Sequence, residues 1–206
     1  MKKILLLFCI FSFCLINLSA QSLEKSVNDA FLISRMVEKF HIQPRPLDDV
    51  ISSAIYSRLL QSFDDDRIFF MKEDIDKLSA FQFKIDDEIK NKQLTFLQLF
   101  ATTYKQRLLQ ADTMVDNICK KPFNFYIKEK ISVTEDTSYP SGIAAMHNKL
   151  YKFLKLVMLN SLVRSFDIYS PGKLPPKKTI DSLEPALRKK ANSSLKRFIK
   201  RIIFFI

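Results

Sequence analysis

Three Ser-x-x-Lys pairs stand in this chain, Ser22 with Lys25, Ser170 with Lys173 and Ser193 with Lys196. Some serine acyl-enzymes use that spacing, with a desolvated lysine taking the hydroxyl proton. The settings argue against it. The first pair adjoins an apolar N-terminal run, the second lies among prolines, and the third sits on a strongly basic stretch where lysine stays solvated and protonated. Asp64, Asp65, Asp66, Asp74 and Asp76 offer enough carboxylate for a hard cation such as calcium. An EF-hand loop also needs a glycine at its sharp bend and a closing glutamate at the right offset, and both are missing. The cluster therefore reads as a solvated turn with helix-capping aspartates. His41 and His147 share no i, i+4 helical face with another metal-type ligand. As a base for a serine, either would need a nucleophile elbow and an oxyanion hole. The chain has only two glycines, Gly142 and Gly172, with which to build tight turns or phosphate loops. No catalytic residue, metal or cofactor is expected.

The most unusual stretch is basic. Residues 146–206 carry 14 Lys and Arg against 3 Asp and Glu, whereas residues 21–145 carry 17 against 19. The formal charge of +11 becomes +9 without Lys2 and Lys3, and the excess lies at the end of the sequence. Lys189, Lys190, Lys196, Arg197, Lys200 and Arg201 are the candidate interaction surface, suited to an anionic membrane or an acidic protein. Nucleic acid is not expected, because the chain reads as exported. The closing Ile202-Ile203-Phe204-Phe205-Ile206 reads as an apolar edge that another domain would cover.

Export is read from the first twenty residues. Lys2 and Lys3 precede an apolar run from Ile4 to Ile16, and Leu18-Ser19-Ala20 closes it. This is the order of a secretory signal peptide, with cleavage expected after Ala20 and a periplasmic or envelope location; the alternative is an uncleaved membrane anchor, for which the apolar run is short. The mature chain then keeps one cysteine, Cys119, so no internal disulfide is available and packing must supply the stability.

The elements that would position these groups are helical. Val27, Phe31, Val37 and Phe40 recur at helix-like steps, and Pro44 and Pro46 end that helix. A second helix spans 47–63, opened by Asp48 or Asp49, with Ile51, Ala54, Ile55 and Leu59 on one face. A third follows Glu73-Asp74, turning Ile75, Leu78, Phe81, Ile85 and Ile89 inward. Leu97, Phe100, Tyr104, Leu108, Ala111, Val115 and Ile118 mark one long helix of about 37 Å. After Pro122, residues 123–133 alternate apolar and polar, the pattern of one short strand or extended segment. A fifth helix is expected from Ile143 to about Phe166 with Met146, Leu150, Phe153 and Val157 inward. A Pro/Gly linker over 169–178 precedes a sixth helix from about Ser182 to Ile203, with Pro185 in its first turn. The fold class is mainly α, about six helices in a bundle over 21–204, with sub-regions 21–133 and 143–204 joined by a loop.

The chain resembles the N-terminal region of the tail-specific, or carboxy-terminal processing, proteases of the bacterial envelope. The resemblance rests on Pro46-Leu47-Asp48-Asp49, Phe63-Asp64, Asp66-Arg67-Ile68-Phe69-Phe70, Asp74-Ile75-Asp76 and Ile85-Asp86-Asp87-Glu88-Ile89. It continues through Phe100, Tyr104, Arg107, Lys121-Pro122-Phe123-Asn124-Phe125, Leu183-Glu184-Pro185 and Arg188-Lys189-Lys190. It covers about 24–203 and departs at a tryptophan of the fifth helix, where Tyr151 is the nearest substitute. It implies a helical domain that precedes a PDZ domain and a Ser/Lys-dyad serine peptidase domain, in enzymes acting on periplasmic proteins with nonpolar C-termini. No position here matches the catalytic motif, so a non-catalytic scaffold that contacts substrate or an adaptor is expected. The expected partners are PDZ and protease modules supplied in trans, and the chain reads as a truncated or split product. The other reading is a free-standing exported protein that binds anionic membrane or an acidic partner through its basic last helix.

Overall fold

The structure, a computed structural model, describes residues 25–127, 129, 138–167 and 176–206. The expected signal peptide and most of the second linker lie outside the described residues. Seven helices are described: α1 (residues 25–40), α2 (Asp49–Asp64), α3 (Lys72–Ser79), α4 (Ile85–Lys90), α5 (Thr95–Ile118), α6 (Ile143–Asp167) and α7 (Lys177–Phe205). No strand occurs among the described residues. The chain is mainly α. Its contacts divide it into two compact units, one of Met1–Phe63 with Asp76–Thr102 and one of Asp64–Ile75 with Thr103–Ile206.

In the first unit, Asp48 opens α2 by accepting the Val50 and Ile51 N–H groups at 3.1 Å each, which satisfies donors that have no intrahelical partner. The buried line of α2 is Ser52, Tyr56 and Leu60, one position round from the expected face, and Ala54 is exposed. Tyr56, Phe81, Phe96 and Phe100 form an aromatic chain with ring centroids 6.0–6.2 Å apart, and Phe63 meets Phe100 edge-on at 5.3 Å. The expected third helix is divided, because i to i+3 turns at Phe81, Gln82 and Lys84 interrupt it. Helix α4 ends with Gln93 N–H on Glu88 O and Lys92 N–H on Ile89 O. That is a Schellman closure, with Lys92 at φ 54° where glycine is usual. Helix α1 departs from its expected inward face: Val27 is buried, but Val37 and Phe40 are exposed.

In the second unit, α5 presents Tyr104, Leu108, Ala111 and Val115, all without exposed surface. Helix α6 buries Met146, Leu150, Leu154, Met158 and Leu162, a four-residue step that makes one straight ridge, and it packs on α7. Phe69 and Phe70 set their rings 6.1 Å and 5.1 Å from Tyr104. Tyr151 stacks on Phe123 at 5.0 Å.

Residues 123–127 are irregular rather than a strand, and 128 and 130–133 lie outside the described residues. The physical reason is that side chains take the donors a ladder would use. The Phe123 N–H donates to Glu184 Oε1 at 2.9 Å and the Tyr126 N–H to Asn124 Oδ1 at 2.9 Å. Helix α7 starts five residues before the expected Ser182, with Pro176 as its N-cap. Pro176 O accepts from Thr179 and Ile180, so this proline, which looks like linker, acts as a helix start. Pro185 consequently lies inside the helix, not in its first turn.

Candidate functional site

Helix α7 carries two polar faces with different duties. Glu184, Arg188, Asn192 and Lys196 follow one another at four-residue steps, so they form a row along the inward side beside Ala191, Leu195 and Ile199, which are buried. Glu184 accepts the Phe123 N–H, and Arg188 donates to Cys119 O at 2.7 Å. Arg188 Nε also lies 3.0 Å from Glu184 Oε1, an ion pair by distance whose N–H is not aimed at the oxygen. Asn192 reaches Asp116 at 3.4 Å, and Lys196 pairs with Asp116 and, at 3.5 Å, with Asp112. The bond from Lys196 holds the Asp116 carboxyl below the ordinary carboxylate range despite partial desolvation. This row fastens α7 to α5 and to the segment that follows α5.

The opposite face holds the other candidate cations. Lys189, Lys190, Arg197, Lys200 and Arg201 are all exposed, and at 3.6 residues per turn they fall within an arc of about 120° over roughly 18 Å of helix. Among the described residues, Arg197 alone of these five has a side-chain partner, Ser194 Oγ at 3.4 Å. The two carboxylates of α7 are elsewhere: Glu184 is buried, and Asp181 accepts from Tyr126 Oη at 2.9 Å. Phe198 is 46% exposed at the edge of this face and stacks on Phe69. Thus five of the six candidates stand together, while Lys196 belongs to the inward row.

The buried charged side chains are engaged within the chain, whereas Tyr56 Oη, Asp112 Oδ1 and Asn192 Oδ1 are buried without a hydrogen-bond partner. Asp64 accepts N–H bonds from Ile68 at 2.9 Å, Phe69 at 3.1 Å and Phe70 at 2.8 Å. Burial pushes its carboxyl up to about 6 against the pull of those three donors. Asp74 reaches back to the Met71 N–H at 2.9 Å and takes a two-point contact from Arg107, Nε at 2.7 Å and one Nη at 2.8 Å. Asp86 accepts from Ser52 and Lys90, and these bonds hold it below the ordinary range although burial acts the other way. Glu88 accepts the Phe96 N–H at the start of α5. Lys155, 2% exposed, donates to Glu129 at 2.9 Å.

No group of three or more His, Cys, Asp or Glu among the described residues is placed to hold a metal ion. A groove of about 530 Å³ in the first unit has an apolar floor of Ile33, Val37, Leu47, Ile51, Ile55 and Ile89. Of the polar groups at its rim, Glu38 accepts from Arg35 and the Leu47 N–H, and His41 accepts the Gln43 N–H. They do not converge on a common point as an acid–base pair would.

Over residues 33–201 the chain matches the family of the tail specific protease N-terminal domain. It belongs to that family. No curated protein matches it. Within this N-terminal domain, Asp64, Asp74, Asp86, Glu88, Arg107 and Glu184, which carried the resemblance in the sequence, are all buried. Each closes a helix end, a loop or an ion pair. The reading of Asp64 and Asp74 as parts of a solvated turn is corrected: both are buried because the tight 68–71 segment has four N–H groups with no helical partner. Asp65, Asp66 and Asp76 are exposed. His41 and His147 are exposed and far apart in the chain, and Lys196 of the Ser193 pair is held by aspartates. Ser22, Ser170 and Lys173 lie outside the described residues. The inward row of α7 was missed; its signal was polar residues at strict four-residue steps beside an apolar line.

Proposed function

We propose that this domain is a non-catalytic support of a tail-specific serine protease, exported to the envelope, that frames PDZ and Ser/Lys protease modules and helps present protein substrates with apolar C-termini. The observation that carries the reading is the use of the buried charged groups: each holds backbone or a counter-ion of this chain, whereas a reaction centre needs titratable groups converging on an accessible point. Family membership supports the enzyme class, and the N-terminal signal pattern supports the location. A domain that frames other modules needs defined helix ends within each of its units, which Glu88 provides in the first and Asp64, Asp74 and Glu184 in the second.

The test is association in trans. The full chain is mixed with the PDZ and protease region of a tail-specific protease and analysed by sedimentation and by cleavage of a substrate protein. A stable complex with raised cleavage of the folded substrate supports the reading. Absence of any complex at concentrations of about 0.1 mM, a weak-affinity limit, would contradict it. Export is checked separately by the mature N-terminus, expected at Gln21.

A further inference from the structure

The exposed face of α7 carries five cations and no carboxylate, and the support role above gives it nothing to do. We propose that this face, Lys189, Lys190, Arg197, Lys200 and Arg201, docks the domain on the surface of an anionic phospholipid bilayer. The face is complementary in charge to such a surface. The five side chains lie along one side of α7, and a recess of about 250 Å³ lined by Cys119, Pro185, Arg188, Lys189 and Asn192 takes in one of the five. A plane of headgroups needs only a row of long cations within a Debye length, and five along one side of a helix supply it. Phe198, partly exposed at the edge of the row, adds an apolar shoulder at the depth where amphipathic helices meet the headgroup boundary. No described helix is long and apolar enough to cross a membrane. Lys196 takes no part, because Asp112 and Asp116 hold it.

The experiment is vesicle co-sedimentation of the full chain with its signal segment removed. Vesicles are phosphatidylcholine alone or with about one quarter phosphatidylglycerol, at about 0.05 M and about 0.5 M salt. Binding to the anionic vesicles alone, with loss at high salt, is expected. Each cation brought near such a surface strengthens binding by about fivefold, so K189E/R197E/K200E should weaken it on the order of a hundredfold. The charge-matched reversal K77E/K84E/K105E, at exposed lysines outside α7, should stay within about threefold. Should the first variant fail to fold by circular dichroism, K189Q/R197Q/K200Q keeps the comparison with a smaller charge change. Lack of binding by the unmodified chain at low salt overturns the proposal, as does equal loss in the charge-matched control. Binding to poly-glutamate but not to vesicles would also overturn it and assign the face to an acidic protein instead.

Discussion

Replacing Arg107 by alanine removes the one guanidinium that answers a carboxylate almost sealed from water. The side chains of Arg107 and Asp74 are 8% and 3% exposed, and two N–H···O contacts of 2.7 and 2.8 Å join them. Asp74 keeps one other donor, the Met71 N–H at 2.9 Å. Breaking a buried pair from one side leaves the remaining charge desolvated and costs about 3–5 kcal/mol, a large part of the 5–15 kcal/mol typical of a domain. Arg107→Lys keeps the charge but loses the two-point fork, so it should cost less, about 1–2 kcal/mol. Asp74→Ala with Arg107→Ala should cost less than the two single changes summed, because no charge is left orphaned. The assay is urea unfolding followed by far-ultraviolet circular dichroism, with free energies taken from the midpoint and slope. If Arg107→Ala lies within about 0.5 kcal/mol of the parent, as exposed substitutions do, the pair does not hold the 71–74 segment and the reasoning fails.

Asp64 gives a pH dependence with a defined sign. Its carboxyl stands at about 6 in the folded chain against 3.8 unfolded, so its contribution is complete below the unfolded value and is lost as pH rises through about 6. Relative to Asp64→Asn, the parent should gain about 1 kcal/mol between about pH 7 and about pH 5 by urea unfolding; an unchanged gap would contradict this. Leu154→Ala, at a position 1% exposed, should cost about 2–5 kcal/mol, while Leu109→Ala, 53% exposed, should stay within about 0.5 kcal/mol. Lys196→Ala should raise the Asp116 titration toward the ordinary carboxylate range, as read by carbon-13 NMR, because the bond that lowers it is gone. An unmoved Asp116 would dissolve the inward row of α7 at that point.

The sequence was most readable where one element faces one way. The stripe of α5 from Tyr104 to Ile118 is buried as its spacing predicts, although Phe96 rather than Leu97 takes the buried place at its start. Fully covered helices are harder: α6 buries Leu154 and Met158, and periodicity cannot choose among Phe153, Leu154, Val157 and Met158 when all are apolar. The break between α3 and α4, made without glycine, was hidden; the one at Asn91-Lys92-Gln93 was legible, although no residue type announces the positive φ of Lys92. Pro176 and Pro185 were read as linker and first turn because proline marks both helix starts and interruptions. The uses of Asp64 and Arg107 needed the fold itself. An aspartate that accepts three N–H groups four to six residues ahead looks, in one dimension, like any polar turn. The basic face of α7 was legible as charge, but its separation from Lys196 depended on where Asp112 and Asp116 fall.

The measurement closest to the central claim is hydrolysis itself. The purified full chain is incubated with a flexible peptide ending in apolar residues, and products are followed by mass spectrometry. The account predicts no cleavage above a buffer control, since the buried carboxylates and Lys155 are bound to partners in the fold. Cleavage that co-purifies with the chain and disappears on replacing one of its own serines by alanine would contradict it.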